Sequence, residues 1–403
     1  MGGGLMQLVA YGAQDVYLTG NPQVTFFKIL YRRHTNFAIE SIQQPFNGGT
    51  PDFGNTVTAT ISRNGDLVWK IYLDVDLPLL TAVGSGGTVS WTHNIGHVLI
   101  KEYSVEIGGQ KIDTRYGQFM NIWNELTVSS EHEDSVKAMI GQTSVATTAA
   151  ATIAAQHLHI PLKFWFTENI GLALPLIALQ YHEVKINVTF RPLSECYTLA
   201  SGATGATAPA LANATLWVNY VYLDTDERRQ FAQVAHEYLI EQLQFTGSES
   251  FSQVNVQQRL NFNHPCKALI TVAQLASNVA AGVNRWTDFT NGSTAYAGAD
   301  QLSSLKLQLN GNDRFTERPA SYFNLVQAVD HFPRGPAVGI YPYSFAIKPA
   351  EHQPSGSVNM SRIDNATLLL TMKSSAAFNL YTYMLSTNVL RVMSGMAGVA
   401  YSN

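Results

Sequence analysis

The sequence predicts an all-β protein: two tandem eight-stranded antiparallel jelly-roll sandwiches, a double jelly roll, with short helices in its loops. Three observations carry this. Short β-branched and aromatic runs alternate with polar residues between Gly, Pro and Asn, and each half holds one short helical pattern, as antiparallel sandwiches do. Features of the first half recur in the same order in the second. The chain has 403 residues, too many for one ordinary core but suited to two. Eight strands in two packed sheets form a jelly roll.

Residues 1–50 read as an N-terminal arm leading into the first domain. Leu5 to Tyr17 shows no clear strand alternation, and Asn21-Pro22 marks a turn. Val24 to Tyr31 is apolar apart from Lys28 and runs into Arg32-Arg33-His34. Either the arm packs on its own domain with these cations solvated, or Lys28, Arg32 and Arg33 touch a neighbouring subunit or an anionic surface at an inner face.

The first domain spans 51–223. Thr56 to Ile61 and Leu67 to Leu73 read as strands joined by Asn64-Gly65, a strong hairpin signal. Tyr103, Val105 and Ile107 alternate with Ser104 and Glu106, and the strand ends at Gly108-Gly109. Phe119 to Leu126 has apolar positions three and four apart, predicting a short helix. Thr143 to Ala155 and Ser201 to Ala210, low in complexity, read as exposed loops. Val184 to Phe190 is a regular half-buried strand.

The second domain spans 239–403. Leu305, Leu307 and Leu309 alternate with polar residues up to Asn310-Gly311, as the strand before Gly108-Gly109 does. Tyr322 to Leu325 matches Phe119 to Ile122, Tyr341 to Phe345 matches Ile160 to Phe164, and Leu368 to Met372 matches Ile186 to Phe190. Between the copies, a strand over Leu216 to Leu223 breaks at Asp224, and a new apolar run opens at Leu239. Residues 224–238 form the connector. Asp226 and Glu227 suit the positive start of a short helix, leaving Arg228 and Arg229 as salt-bridge formers. The connector joins the two copies, as a hinge or as a brace.

Charged residues make up only 13 % of the chain, which favours burial against partners or a neutral polar surface. Net charge is −4 with no long basic block, which argues against direct nucleic-acid contact. Cys196 and Cys266 make no disulfide framework and suit a reducing compartment. The N-terminus lacks a signal-peptide layout and no apolar run reaches membrane-span length. Met6 stands where a myristoylation motif wants Ser or Thr.

No phosphate loop, nucleophile elbow or zinc-protease motif occurs, so the expectation is no enzyme, no cofactor and no metal. His157-x-His159 resembles a jelly-roll metal motif but lacks the Glu four residues on. Asn187, Asn213, Asn291, Asn359 and Asn365 begin glycosylation sequons, with Asn291 in the most exposed predicted loop.

The stretch from Leu8 to Gly48, LVAYGAQDVYLTGNPQVTFFKILYRRHTNFAIESIQQPFNG, resembles the start of major capsid proteins of nucleocytoplasmic large DNA viruses. Further blocks are ISRNGDLV (Ile61 to Val68), GLALPLIALQYHEVKI (Gly171 to Ile186), Tyr222 to Ser250, LNFNHP (Leu260 to Pro265), SRIDNATL (Ser361 to Leu368) and NVLRVMSGMAG (Asn388 to Gly398). The resemblance covers essentially the whole chain and is strongest to the algal-virus, phycodnavirus type. It implies a structural virion protein made in the host cytoplasm. It implies a homotrimer forming a pseudo-hexameric capsomer, neighbouring capsomers tiling an icosahedral capsid, and minor capsid proteins and an internal membrane at the inner face. It also implies that the short loops near Ser129 to Gln156 and Ser277 to Gln301 build a plain outer surface. An alternative is a carbohydrate-binding β-sandwich on the virion, which wants Trp91, Trp286 and Tyr296 exposed on one face. A metal-dependent enzyme would need metal at His157 and His159.

Overall fold

The structure, a computed structural model, describes residues 3–26 and 33–401. The chain divides into two compact units, Met1–Phe37 and Ala38–Asn403. In the first, α1 (Gly3–Val9) and α2 (Asp15–Thr19) bury no residue, and the Gly12 amide donates to Asp15 Oδ2 at 2.6 Å. Lys28 and Arg32 lie outside the described residues; Arg33 is exposed.

The rest of the chain holds two sets of eight corresponding strands, with shorter strands in the loops and at the sheet edges. The first set is β1 (Phe37–Gln44), β2 (Thr56–Thr60), β3 (Leu67–Leu77), β4 (Ile100–Ile107), β5 (Gln110–Tyr116), β6 (Gln156–Pro161), β7 (Val184–Phe190) and β8 (Ala212–Leu223). Between β5 and β6 lies α3 (Gly117–Thr127), and after β8 comes α4 (Thr225–Gln233). The second set is β9 (His236–Phe245), β10 (Asn255–Leu260), β11 (Pro265–Leu275), β12 (Leu302–Leu309), β13 (Asn312–Asp313), β14 (Ile340–Ser344), β15 (Ala366–Met372) and β16 (Phe378–Met393).

In the first roll the sheets run β1-β8-β3-β6 and β2-β7-β4-β5. In the second they run β9-β16-β11-β14 and β10-β15-β12-β13. Each strand number is eight higher, so the two rolls share one topology, the jelly roll. Alternation places the cores: β7 and β15 bury every second residue, Val184 to Phe190 and Ala366 to Met372. One core gathers Val57, Leu73, Val105, Ile186 and Val218; the other gathers Val256, Leu305, Leu307, Leu368 and Leu380. The β4–β5 and β12–β13 hairpins turn on Gly108-Gly109 (φ 59° and 83°) and Asn310-Gly311 (φ 50° and 79°), residues that tolerate the left-handed conformation this turn needs.

Three expectations are corrected. The segment read as an arm to residue 50 contains β1, which pairs with β8, so the first roll opens before residue 51. Asn64-Gly65 closes no hairpin, because β2 pairs with β7 while β3 pairs with β8 in the other sheet. Neither residue has positive φ; Gly65 is needed because a Cβ would sit 2.8 Å from Tyr220 Cβ. Thr143 to Ala155 is not simply exposed: Ala146 and Ile153 are buried, and Thr143 caps a helical turn by accepting from the Ala146 amide.

Gly117 opens α3 where a Cβ would lie 2.1 Å from the carbonyl oxygens of both His97 and Ile100. Backbone on both sides cannot yield. Gly117→Ala is expected to destabilise the protein by about 3 kcal/mol or more in urea unfolding. Gly205→Ala, with no atom within 4 Å, stays within about 0.5 kcal/mol. Equal midpoints for the two variants would refute this account of the helix start.

Candidate functional site

The two rolls meet through the outer faces of their sheets, and the covering of those faces differs between the copies. Strand β11 is buried on both faces. Leu269 and Ala273 point into the second core, while Ala268, Ile270 and Val272 point outward yet are 0–1 % exposed. What covers them is α3 of the first roll. Phe119, Ile122, Trp123 and Leu126 form one cluster with Ala268, Ile270, Val272, Ile340, Tyr383 and Leu385.

Polar groups fix this contact. Asp113 and Arg115 form a buried ion pair at 2.8 Å, and Asp113 Oδ1 accepts from the Leu243 amide of the second roll at 3.0 Å. Burial pushes the Asp113 carboxyl up, and Arg115 draws it back. Gln118 donates to Gln274 at 3.2 Å and accepts from the Tyr383 hydroxyl at 2.8 Å. On the roll-one side, His97 Nε2 lies 3.1 Å from Asn124 Nδ2 of α3. Burial, reinforced by Lys163, depresses His97 to about 3, so it stays neutral.

The outer face of the matching sheet in the first roll is open. Pro161 pairs with Tyr72 as Pro342 pairs with Ile270, so Tyr72, Asp74 and His159 occupy the places of Ile270, Val272 and Ile340. All three are half-buried or exposed. His159 Nδ1 lies 2.7 Å from Asp74 Oδ1, and His157 Nδ1 lies 2.5 Å from Asp76 Oδ1. The helical segment of the second roll, residues 322–331, is the counterpart of α3. Its Phe323 enters its own core as Met120 does, but Leu325, Val326 and Val329 are 61 %, 45 % and 73 % exposed. Their counterparts Ile122, Trp123 and Leu126 are the docked residues. Sequence reading missed this pairing; the signal available was the unalternating run from Ala268 to Ala273.

The expected brace is partly assembled. Asp224 caps α4 by accepting from the Thr225 amide, and Arg228 pairs with Asp66 at 3.0 Å. Asp66 also accepts from the Leu223 amide at 2.9 Å. Asp226 and Arg229 are exposed, and neither side chain has a hydrogen bond or ion pair among the described residues. Phe231 packs with Trp69, Leu67 and Val221 of the first roll.

The aromatic face required by a carbohydrate-binding reading is not there. Trp91 is buried in the first core, and Trp286 lies under the Arg191 guanidinium while donating to the Glu195 carbonyl. Only Tyr296 is exposed, and its hydroxyl is bonded to Thr287. Among the sequons, Asn187 and Asn213 are tied to Thr58 and Asp76, Asn291 bonds both Asp300 and Ala299, and Asn359 accepts from Ser361. Asn365 is exposed with its side chain unbonded among the described residues. Both cysteines are buried free thiols.

Comparison with known proteins follows this geometry. The family described as "Major capsid protein N-terminus" matches residues 25–224, and "Large eukaryotic DNA virus major capsid protein" matches 227–398. The major capsid protein of Pyramimonas orientalis virus is 51 % identical over the whole of both chains, and that of Paramecium bursaria Chlorella virus 1 is 43 % identical over the whole of both. The crystal structure of PBCV-1 VP54 aligns with a TM-score of 0.80 at 38 % identity, covering 94 % of this chain and all of that one. The Faustovirus major capsid protein gives the same score at 14 % identity, covering 95 % and 94 %, a likeness of fold.

Two outcomes test the contacts. Arg228→Ala should cost less than about 1 kcal/mol, since the Arg228 side chain is more than half exposed and Asp66 keeps its bond to the Leu223 amide. Asp66→Ala should cost about 2 kcal/mol by stranding the buried Leu223 amide; equal losses by chemical unfolding would sink this ranking. For His97, the unfolded chain takes up a proton near pH 6.5 but the fold resists it down to about 3. Stability therefore falls as pH drops across that interval. In His97→Gln the fall should be shallower by up to about 1.4 kcal/mol per pH unit; an unchanged slope counts against it.

Proposed function

We propose, from the premise that the chain belongs to the family of major capsid proteins of large eukaryotic DNA viruses, that three copies form a pseudo-hexameric capsomer and that such capsomers tile an icosahedral shell. One observation carries this reading: the α3 contact is used once within the chain, and its counterpart is left unmet. The second roll offers Leu325, Val326 and Val329, and the first roll offers the open face around Trp69 and Tyr72. A contact between different patches closes when its rotation divides the circle, and six similar rolls in three chains meet that condition.

The role is structural rather than catalytic. The connector 224–238 helps hold the two rolls in one orientation, with Arg228 anchored on Asp66 and Asp226 and Arg229 facing outward. The N-terminal arm, whose Leu8, Tyr17, Leu18, Val24 and Phe26 are exposed, engages minor capsid proteins or the internal membrane at the inner face; Lys28, Arg32 and Arg33 belong to that contact. With a net charge of −4 the chain makes no direct contact with nucleic acid. Synthesis and assembly take place in the host cytoplasm, and Asn365 is the sequon best placed to carry a glycan.

Light scattering and native mass spectrometry of the purified chain should report a trimer. Leu325→Asp with Val329→Asp, both at exposed positions, should leave the fold intact and weaken association by about 100-fold or more, because each carboxylate would be buried unpaired. A wild-type chain that stays monomeric at high concentration, or a double variant that trimerises normally, would overturn the reading.

A further inference from the structure

We propose that Asp74, His157 and His159 bind a divalent transition metal of the zinc class on the outer face of the first roll. The ligands all come from one chain, on the face that the neighbouring chain meets in the proposed trimer, so the site is open in the unassembled chain. Strands β3 and β6 pair antiparallel with Asp74 opposite His159 and Asp76 opposite His157, so register alone brings two carboxylates and two imidazoles onto one face. One potential ligand atom from each of Asp74, His157 and His159 lies within 4.8 Å of the others. Ligands of a tetrahedral zinc stand roughly 3.4 Å apart, so a small rotation of the side chains closes the set. The imidazoles are about half exposed and free to make that movement, while the strand backbone fixes their origin.

The chemistry of the donors favours this class. Two imidazoles with one carboxylate suit zinc, copper or nickel, whereas calcium and magnesium prefer all-oxygen sites. Three protein ligands leave a fourth position for water. A supporting layer is also in place. Asp76 accepts from His157 Nδ1, which turns Nε2 towards Asp74 Oδ2 at 3.8 Å, and Asn213 donates to the other Asp76 oxygen at 2.7 Å. A carboxylate behind a ligating imidazole, itself hydrogen-bonded, orients the ring and raises its basicity. Packing does not explain the cluster, since the second roll places Val272 and Ile340 at the positions of Asp74 and His159. A bound ion would fasten β6 to β3.

Zinc and cobalt(II) titrated into the full chain carrying Leu325→Asp and Val329→Asp, which leave this face uncovered, and purified without a polyhistidine tag, provide the test. Calorimetry should give one metal per chain, and cobalt should show the intense visible bands of a tetrahedral complex. His157→Ala and His159→Ala should each weaken binding by about 100-fold or more, and Asp76→Asn by roughly 10- to 100-fold. Without metal the two histidine variants should melt with their parent chain, and zinc should raise the melting temperature of the parent more than that of any variant. Absence of binding at millimolar zinc, or equal affinity in the His157→Ala/His159→Ala double variant, overturns the proposal.

Discussion

An apolar sheet face cannot be left in water, and in this molecule the face that matters is the outer side of β11. Ala268, Ile270 and Val272, with Ile340, Tyr383 and Leu385, form a surface that the second roll covers in part with its own Leu243, Phe289 and Phe332. The first roll supplies α3. Burying Phe119, Ile122, Trp123 and Leu126 contributes about 1.5–3 kcal/mol for each side chain. The Arg228–Asp66 pair, whose arginine side chain is more than half exposed, contributes less than about 1 kcal/mol. The docked helix therefore does more than the connector to set the angle between the rolls.

Hydrophobic burial alone would allow α3 to slide or rotate. The polar groups around it remove that freedom. Asp113 satisfies a backbone amide across the junction, and Gln118 bridges Gln274 and Tyr383. Lys267, nearly fully buried, meets the Glu241 carboxylate and the Glu351 carbonyl. Buried ion pairs add little net stability because desolvation offsets their attraction, but a displaced partner leaves an unpaired buried charge. Such groups penalise wrong registers more than they strengthen the right one.

Much of the fold was legible because alternation reports which face of a strand is dry. Val184 to Phe190 and Leu368 to Met372 announced their sandwiches, and the paired turns at Gly108-Gly109 and Asn310-Gly311 aligned the two copies. Asn64-Gly65 misled because a tight turn can lead a chain from one sheet to the other as well as back along the same one. Thr143 to Ala155 misled because small residues lose little entropy when packed, so low complexity does not mean exposure. The docking surface was written in β11 as an apolar run without alternation, which demands a cover but does not name it. The His–Asp cluster depends on the register between strands some eighty residues apart, which spacing within the sequence does not encode.

The two copies differ most where they do equivalent work, and the difference has a physical cause. The face covered by α3 is buried as the chain folds, so Ile270, Val272 and Ile340 never need to be soluble. Its counterpart carries Tyr72, Asp74 and His159, which stand in water in the single chain. A fully apolar face there would associate with anything, since large exposed apolar patches drive aggregation. Polar side chains suit that exposure, and in the proposed trimer the side that would meet it presents Leu325, Val326 and Val329. The same place in the two rolls therefore carries apolar side chains where it is covered within the chain and polar ones where it is open.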